Sequence, residues 1–393
     1  MTPRPRVLLV AGAYSPELSS GGLQSAALAR VLGPRLDAVV LTTSTEPTLR
    51  QQDQVDGVPV SRIYIDVNSR LSFLRALAGM AVALLQLLPR VDIAHIQGYS
   101  TKNIFIMALA KLFGRPVILH LQTARHDEPP AVKAQGRLAW WAYSTADLYL
   151  SVSPGLSASY FAAGLPADKI REVPNGVDAS RFRPASLGER ASLRARLNLP
   201  ASRPLVLFVG VISPDKQPHV LLDAWLRLQQ DPATASTLVL VGATDPVLFE
   251  LGGRLIEQLR VTAHASGFAV RVVVVPPTDQ IQDYFRAADM YVMPSNREGL
   301  PIALLEAMAC GLPCVASRLP GATDVMVEDG VNGRLVPVGD VGAFAAEIAG
   351  LLVAPAVAAR LGAAARCTVE DRYTLERVAE QWLDAYQQLL VSR

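Results

Sequence analysis

Short apolar runs rich in β-branched residues alternate with helix-length segments along most of the chain, and this alternation constrains the fold more than any other feature. Each run is apolar at consecutive positions, which is typical of strands buried on both faces of a parallel sheet. The pattern occurs twice and therefore predicts two doubly wound α/β domains, each a parallel sheet covered by helices on both sides. The predicted strands are Val7–Val10, Ala38–Leu41, Ile93–Ile96, Val117–Leu121 and Leu148–Val152 in the first half, and Leu205–Val209, Leu238–Val241, Val270–Val275, Met290–Met293 and Pro313–Ala316 in the second.

A segment without a strand pattern, residues 181–204, separates the two sets of runs and predicts a linker with one short helix. We therefore predict a first domain over residues 1–183 and a second over residues 184–374. Residues 375–393 have apolar side chains at helical spacing, so they predict an amphipathic helix that needs a packing partner. Ligands of doubly wound sheets bind beyond the carboxyl ends of the strands, so we expect the chemistry in a cleft between the two domains.

The charge balance argues against nucleic acid as a partner. Lys and Arg number 37 against 35 for Asp and Glu, which leaves a net charge of +2. The charges are unevenly distributed, with 19 basic and 13 acidic side chains in residues 1–185 and 18 and 22 in residues 186–393. A basic first half suits an anionic acceptor or membrane surface, although such an excess is also ordinary.

The three cysteines, Cys310, Cys314 and Cys367, are too few for a disulfide framework and are wrongly spaced for zinc. A reducing cytoplasm is therefore the expected compartment. The first residues mimic a signal peptide, but the apolar run Val7–Val10 is too short for one and is better explained as the first strand.

The most hydrophobic segment of the chain, residues 76–89, is expected to be too short to span a bilayer. Arg70, Arg75 and Arg90 flank this region. Peripheral contact with the inner face of a membrane is therefore an alternative to an ordinary core helix.

Two loops that follow predicted strands carry groups suited to anions. Gly21 and Gly22 precede a predicted helix, where free N–H groups and the helix dipole form an anion site, although a flexible loop with a glycine cap also explains the pair. Lys216 is the only lysine after Lys169. Its ammonium suits a phosphate oxygen, and the alternative is a solvated loop lysine. Neither loop is a G-x-G-x-x-G fingerprint or a P-loop, which argues against a dinucleotide dehydrogenase or a kinase.

Two glutamates lie at the start and in the interior of one predicted helix. Glu306 is surrounded by Ala, Leu and Met, where a carboxylate is costly unless hydrogen-bonded, and a ribose supplies paired hydroxyl donors. Glu298 precedes the helix and is placed to hold another hydroxylated ring, while exposed N–H groups of Gly299 and Leu300 are expected to meet a diphosphate. The alternative makes Glu306 the structural partner of an arginine and Glu298 a helix-end charge.

His95 and His120 end predicted strands of the first half, so we expect both to face the cleft, with His120 better placed. His120 precedes the polar loop 122–128, in which Arg125 and His126 are candidate acceptor contacts. The alternative is a strand-end histidine whose hydrogen bonds are purely structural. No His, Cys or Asp cluster has metal-ligand spacing, so the sequence predicts no dedicated metal site.

The run from Glu298 to Glu306, E-G-L-P-I-A-L-L-E, resembles the E-x7-E signature of retaining glycosyltransferases, especially those of family 4. Four further stretches agree with that family in order and spacing, so the resemblance extends over nearly the whole chain. These stretches are Gly21-Gly22, His120 after a strand, Val152-Ser-Pro-Gly-Leu with Val173-Pro-Asn-Gly-Val-Asp178, and Phe208-Val-Gly followed by Ser213-Pro-Asp-Lys216.

The resemblance implies a GT-B fold, in which two Rossmann-like domains face a central cleft and the C-terminal helix packs back on the first domain. It implies transfer of a sugar from a nucleotide-diphospho-sugar, UDP-sugar being favoured over GDP-sugar, with retention of anomeric configuration. The acceptor is expected to be a hydroxyl group of a glycan, a lipid-linked molecule or a small molecule. Neither a metal nor a cofactor is implied, because the nucleotide sugar is a substrate.

The resemblance also assigns candidate roles to individual residues. The candidate catalytic residues are His120 beside the transferring sugar, Lys216 on the diphosphate and Glu298 on the sugar hydroxyls. The candidate donor-binding residues are Gly21, Gly22, Lys216, Glu298, Gly299, Leu300, Pro301 and Glu306, the last on the ribose. The candidate acceptor contacts are His95, Arg125 and His126.

One departure from the family concerns position 211, where family members commonly have Arg after the Val-Gly of the strand and this chain has Val211. The loss of one cation on the leaving diphosphate is worth on the order of a hundredfold in rate. Either Arg297 or Arg125 replaces it, or catalysis is weaker, the donor lies differently, or activity is lost. Two alternative functions stay open: a GT-B epimerase or phosphorylase, which shares the fold, and a catalytically impaired nucleotide-sugar-binding subunit, which Val211 suggests.

Overall fold

The computed structural model of the chain describes residues 4–17, 19–242 and 250–391. It divides into two α/β units: the first is formed by Met1–Gly176 with Leu375–Arg393, and the second by Val177–Thr374. The first unit is therefore discontinuous in sequence, because its last helix follows the whole second unit.

Strands and helices alternate through both units. The strands are β1 (Arg6–Ala11), β2 (Asp37–Ser44), β3 (Gln52–Val55), β4 (Val58–Tyr64), β5 (Ile93–Gln97), β6 (Val117–Leu121), β7 (Leu148–Ser151), β8 (Ile170–Glu172), β9 (Leu205–Val209), β10 (Thr237–Val241), β11 (Val272–Val275), β12 (Met290–Met293), β13 (Cys314–Ser317) and β14 (Arg334–Val336). The helices are α1 (Ser20–Leu32), α2 (Arg70–Leu87), α3 (Asn103–Leu112), α4 (Pro129–Ala134), α5 (Arg137–Ser144), α6 (Pro154–Ala162), α7 (Leu187–Arg196), α8 (Pro218–Leu226), α9 (Glu250–Ala265), α10 (Ile281–Ala287), α11 (Ile302–Ala309), α12 (Val341–Val353), α13 (Pro355–Arg372) and α14 (Leu375–Val391).

The first unit is built on one sheet with the strand order β3-β4-β2-β1-β5-β6-β7-β8, parallel throughout except for the antiparallel pair β3 and β4. One face of this sheet is covered by α1 and α14, and the core between them includes Val7 and Leu9 from β1. Trp382 and Tyr386 lie four residues apart on α14 and bury the apolar stripe that the sequence predicts. The terminal helix is therefore an integral part of this core.

The second unit is built on a wholly parallel sheet with the strand order β11-β10-β9-β12-β13-β14. The central strands β9 and β12 are direct neighbours, so the loops that follow them lie side by side. Next to them, a Cβ at Gly242 would lie 1.8 Å from the carbonyl oxygen of Gly210, so only glycine fits where β10 ends beside β9.

All ten predicted strands form, and so do the predicted linker helix, as α7, and the predicted terminal helix, as α14. The sequence analysis missed β3, β4, β8 and β14. Three of these lie at a sheet edge and the fourth pairs with an edge strand. Edge strands carry polar residues such as those of Gln52–Val55, so they lack the continuous apolar pattern that reveals central strands.

The first segment of the first unit ends at Gly176, earlier than the predicted boundary at residue 183. Val177 pairs with Thr374 through a β-bridge, and the Phe182 ring packs against Phe285 at 5.9 Å between centroids. These contacts attach the start of the predicted linker to the second unit.

Helix α2 is unusually exposed for its apolar composition. Together with the turn that follows, it forms a helix from Arg70 to Arg90 of 21 residues and mean hydropathy 1.9, with 22% of its apolar window buried. The helix is therefore longer than the apolar segment 76–89, and by length and composition alone it passes the test for a membrane span, as core helices of soluble proteins also do. Its buried face, which packs on the sheet beside β4, is Ala76, Met80 and Leu84. Its opposite face carries Leu71, Leu74, Val82 and Leu85, each more than half exposed, and Phe73 is also more than half exposed near the start of the helix.

Candidate functional site

Two loops of the second unit meet because β9 and β12 are neighbouring parallel strands. The loop after β9 carries Lys216 and the loop after β12 carries Glu298. Lys216 Nζ lies 2.6 Å from Glu298 Oε1, and the two side chains are 30% and 8% exposed. The structure thus brings two predicted site residues into direct contact, as a partly buried ion pair.

The same two loops are joined at two further points. The Asn296 N–H donates to the Asp215 carbonyl at 2.8 Å, and the Arg297 guanidinium forms an ion pair with the Asp215 carboxylate. Two ion pairs therefore cross between the loops, from consecutive residues on each side. This arrangement places Arg297 next to the Lys216 pair, on the loop opposite Val211.

Polar atoms without partners lie on these loops. Gln217 Oε1, Ser295 Oγ and Asn296 Oδ1 are buried and have no hydrogen-bond partner among the residues that the structure describes. Gln217 also has a φ of +47°, an uncommon conformation for a residue with a side chain. Since buried polar groups are nearly always hydrogen-bonded, three such atoms together indicate a place where a polar ligand completes the bonding.

Glu306 lies on α11, one helical turn beyond the second loop. Within the described part of the chain its carboxyl group forms no hydrogen bond or ion pair, and the arginine that acts on it, Arg181, does so through its charge alone. Burial raises the pKa of Glu306 to about 8, and the charge of Arg181 opposes this shift. Burial, with the charges of Glu298 and Glu306, raises the pKa of Tyr291, so both carboxyl groups lie near that one ring.

The residues between the two glutamates are less open than predicted. Gly299, Leu300 and Pro301 are buried, so the expectation of exposed N–H groups at Gly299 and Leu300 is wrong. Pro301 is the N-cap of α11, and the half-buried Ile302 and Ala303 supply the first helical N–H groups. These groups have no partner within the helix, so the helix start remains suited to an anion.

Gly21 and Gly22 lie in the first turn of α1. The Gly22 N–H donates to the N-cap Ser19 Oγ at 3.0 Å, and a Cβ at Gly22 would lie 2.2 Å from the Ala13 carbonyl oxygen. Close packing therefore explains Gly22 without any ligand. A Cβ at Gly21 would lie 2.6 Å from Gln122 Oε1, so Gly21 keeps space beside that amide.

His95 and His120 are buried beneath α14 rather than exposed at strand ends. Their rings stack with centroids 5.3 Å apart, Trp382 packs against both, and the Tyr386 hydroxyl lies 2.7 Å from His95 Nδ1. Burial lowers the pKa of His120 to about 4 and that of His95 well below its usual value, so both are neutral at pH 7. The prediction that these histidines face an opening is therefore wrong.

Sequence reasoning missed Gln97 and Gln122, each two residues beyond one of the buried histidines. Both are half-buried, and the Gln122 Nε2 donates to Gln97 Oε1 beside Gly21. The two-residue period of a strand could have identified both glutamines from the sequence. Side chains two residues apart share a face, and the later one lies nearer the carboxyl edge of the sheet.

The loop after β6 is organised by Asp127, which is 1% exposed. Its carboxylate accepts hydrogen bonds from the N–H groups of Tyr99, Gln122 and Thr123. It also lies 2.9 Å from Nδ1 of His126. Arg125 and His126 are exposed on this loop, so they remain candidates for contact with a ligand.

No group of three or more His, Cys, Asp or Glu side chains in the part of the chain that the structure describes is arranged to hold a metal ion. The candidate site of the second unit consists of the two ion pairs between its loops, the unpartnered polar atoms and Glu306.

Two family models match the chain, one in each unit. The model described as a glycosyl transferase 4-like domain matches residues 22–176. The model described as glycosyl transferases group 1 matches residues 189–368. Together they account for most of both units.

Curated relatives resemble part of the chain. It is 37% identical over 232 residues to the D-inositol 3-phosphate glycosyltransferase of Xylanimonas cellulosilytica, an alignment that covers 57% of this chain and 52% of the relative. It is 36% identical over 234 residues to the same-named protein of Saccharomonospora viridis, covering 57% and 51%. The chain thus spans about half the length of the curated relatives it matches.

Solved structures share the whole fold. The Anabaena protein HepE in complex with UDP and glucose has a TM-score of 0.81 at 21% identity, over 98% of this chain and 100% of its own. The sucrose-phosphate synthase of Thermosynechococcus elongatus has a TM-score of 0.81 at 22% identity, over 99% and 100%. Two parallel-sheet α/β units and these neighbours show the GT-B fold. Since a glycosyltransferase model also matches each unit, the chain belongs to the family 4 glycosyltransferases of GT-B fold.

Proposed function

We propose that the protein is a retaining glycosyltransferase that moves a sugar from a UDP-sugar to an acceptor hydroxyl group without a metal ion. The observation that carries this proposal is the proximity of Lys216 and Glu298, on two adjoining loops of the second unit, to Glu306 on α11. The buried polar atoms without partners on the same loops support a polar ligand there. The Anabaena neighbour is described in complex with UDP and with UDP-glucose, which supports UDP as the nucleotide.

The Lys216–Glu298 ion pair is, in this proposal, the resting form of the donor site. The diphosphate of the donor competes for the Lys216 ammonium, and the hydroxyl groups of the sugar satisfy the Glu298 carboxylate. Because the pair is partly buried, each charge needs a partner both before and after this exchange. Lys216 then stabilises the negative charge that develops on the β-phosphate as the sugar leaves.

Glu306 is proposed to hold the ribose. Its carboxyl group is partly buried and forms no hydrogen bond with another described residue, and its pKa is raised to about 8. Two ribose hydroxyl groups would donate to the ionised form and lower that pKa. Ribose binding and ionisation of Glu306 therefore favour each other.

The proposed reaction breaks the bond between the anomeric carbon and the β-phosphate oxygen. The acceptor oxygen bonds to the same carbon on the face from which the diphosphate leaves, and the acceptor proton passes to the departing phosphate oxygen. This course needs no covalent nucleophile, and it leaves Glu298 and Glu306 free to hold hydroxyl groups. It retains the anomeric configuration of the donor.

A phosphorylated polyol is the acceptor that we favour over a glycan or a lipid-linked acceptor. The matched relatives from Xylanimonas and Saccharomonospora are named for inositol 3-phosphate. The exposed Arg125 and His126 on the loop after β6 are candidate contacts for such an acceptor.

The proposal is tested by titrating UDP, GDP and ADP calorimetrically and by measuring transfer from UDP-sugars to inositol 3-phosphate. We expect UDP to bind, and Lys216→Ala to reduce transfer by at least about a hundredfold while the protein remains folded. Its unfolding midpoint is expected to fall, because the buried Glu298 carboxylate loses its partner. Lys133→Ala, at an exposed lysine of the first unit, is the matched control. Near-normal turnover of Lys216→Ala would remove Lys216 from the mechanism, and failure to bind any of the nucleotides would overturn the donor site.

Two alternatives give different results in the same assays. An epimerase or phosphorylase would convert or release the sugar without an acceptor hydroxyl group. A catalytically impaired binding subunit, the alternative that Val211 suggests, would bind UDP without any turnover. The position of Arg297 beside the Lys216 pair favours an active enzyme.

We further propose that α2 contacts the inner face of the cytoplasmic membrane. Its exposed face carries four large apolar side chains, and Arg70, Arg75 and Arg90 supply positive charge for anionic lipids. The opposite face is buried in its own unit, which favours a helix lying on the membrane surface over one that spans it. The exposed thiol of Cys367 fits the reducing cytoplasm.

Sedimentation with anionic vesicles at low salt tests this contact. We expect the protein to sediment and Leu74→Glu to release it, because a charge replaces an exposed apolar side chain. Leu112→Glu, at an exposed leucine of α3, is the control and is expected to sediment normally. Absence of wild-type protein from the vesicle pellet would reject the contact.

A further inference from the structure

We propose that Lys102 binds a phosphate group on the acceptor, at the carboxyl edge of the first unit's sheet. This inference rests on the proposed glycosyltransferase function and adds to it the residue that recognises the acceptor's charge. Neither the sequence motifs nor the family resemblance singles out Lys102.

The side chain of Lys102 crosses the end of the central strand β1. Lys102 directly precedes α3, in the connection from β5, and its Nζ donates to Thr43 Oγ1 of β2 at 2.8 Å. Thr43 Oγ1 in turn donates to the carbonyl oxygen of Gly12, which follows β1, at 2.9 Å. Since β1 lies between β2 and β5, the ammonium group sits over the carboxyl end of β1. Ligands of doubly wound sheets bind at this edge.

The Lys102 ammonium group has no counter-ion among the residues that the structure describes. Within the described residues Lys102 pairs with no carboxylate, and burial alone lowers its pKa to about 8. By contrast, Lys111 at the other end of α3 lies 2.7 Å from Asp147. A desolvated cation is costly unless an anion compensates it, and a lysine suits phosphate as a point charge.

The space beside Lys102 is open. Gly12 is exposed, and a Cβ placed on it would meet no atom within 4 Å. A phosphate group can therefore reach the ammonium and the Thr43 hydroxyl group from solvent.

The next groups along the same edge suit hydroxyl groups. The amides of Gln97 and Gln122 lie at the ends of β5 and β6, the two strands that follow β1 in the sheet. Neighbouring strands are about 5 Å apart, so these amides lie roughly 5 to 10 Å from the end of β1. A phosphate on a six-carbon polyol spans that distance, with its charge at Lys102 and its hydroxyl groups at the amides.

The test uses the full chain saturated with UDP, so that the donor site is occupied, and titrates inorganic phosphate, D-inositol 3-phosphate and unphosphorylated inositol. We expect Lys102→Gln to weaken binding of both phosphate probes at least about tenfold, with inositol and UDP affinities unchanged. Lys102→Arg keeps the charge and is expected to retain most of the phosphate affinity. Lys111→Gln, on the same helix at the opposite edge of the sheet, is the matched control.

Each contrary result has a distinct meaning. Unchanged phosphate affinity in Lys102→Gln, or no phosphate binding by the wild-type protein, overturns the inference. An equal loss of UDP affinity in Lys102→Gln assigns the lysine to the donor diphosphate and also overturns it. Failure of the wild-type protein to bind UDP refutes the proposed function instead, and the phosphate titrations repeated without UDP then still decide the role of Lys102.

Discussion

Ionisation of the Glu306 carboxyl group opposes folding, because burial favours its neutral form. Its pKa is about 8 in the folded protein and near 4.3 in an unfolded chain. The free energy of unfolding that depends on this group is therefore highest below about pH 4 and falls as pH rises to 8. We expect Glu306→Gln to raise the free energy of unfolding at pH 9 by about 1 to 3 kcal/mol relative to wild type, after allowance for partial exposure, and to leave it nearly unchanged at pH 4. Thermal unfolding at both pH values measures the difference.

The same Glu306→Gln variant separates a structural from a ligand-binding role. A neutral amide accepts ribose hydroxyl groups more weakly than a carboxylate, so UDP affinity at pH 8 should fall about tenfold. Glu328→Gln, outside the candidate site, is the control for a lost carboxylate in the second unit. A stabilised variant with unchanged UDP affinity would contradict the assignment of Glu306 to the ribose.

Position 211, where this chain has Val211 instead of the family's arginine, raises the question of whether another residue supplies the missing positive charge. It lies on the loop opposite Arg297, whose guanidinium is held by Asp215 beside the Lys216 pair. If Arg297 has replaced the missing family arginine, Arg297→Gln should lower kcat at least about tenfold, and Val211→Arg in that background should restore part of it. Transfer assays on the two single variants and the double variant measure this. An unchanged rate for Arg297→Gln would exclude the replacement, and Arg318→Gln at a partly exposed surface pair is the control.

At the scale of elements, the packing of α14 on β5 and β6 makes the first unit sensitive to acid. His120 is neutral when folded, with a pKa of about 4, but binds a proton near pH 6.5 when unfolded. Stability from its burial is therefore present above pH 6.5 and lost as pH falls towards 4. Between pH 7 and pH 5 the wild-type protein is expected to lose about 2 kcal/mol of unfolding free energy through His120. His120→Leu should not show this loss, and thermal unfolding at the two pH values measures the difference. An identical pH response in His120→Leu and in the control His264→Gln would refute this.

The elements also show what a single sequence can predict. Central strands such as β1 and β9 are apolar at every position, so their pattern is unambiguous. The roles of His95 and His120 depended on which face of the sheet α14 covers, and that contact joins residues more than 250 positions apart, as the His95–Tyr386 hydrogen bond shows. Local pattern predicts which residues end a strand, whereas tertiary packing decides which of them stay open.

At the scale of the whole molecule, motif spacing predicted the candidate site residues of the second unit better than those of the first. The residues of the second unit's site come from two strand–loop–helix segments, and parallel pairing of β9 with β12 brings them together as expected. Lys102 belongs to no motif, because its position over β1 follows only from the strand order β2-β1-β5. Spacing therefore predicts sites within a repeated local arrangement, and strand order is needed for the rest.

The discontinuity of the first unit makes a final prediction about a chain that ends at Thr374. Such a chain lacks α14, so Trp382 and Tyr386 no longer cover the buried face of β5 and β6, whereas the second unit, Val177–Thr374, keeps all of its own residues. Loss of large buried aromatic side chains costs about 3 to 5 kcal/mol each, which is most of the stability of a typical domain. We therefore expect calorimetry to show a single remaining transition, with UDP still stabilising it and Lys216→Ala abolishing that effect. A chain ending at Val391 keeps α14 and is the control, and retention of the first unit's transition after truncation at Thr374 would show that α14 is dispensable for its core.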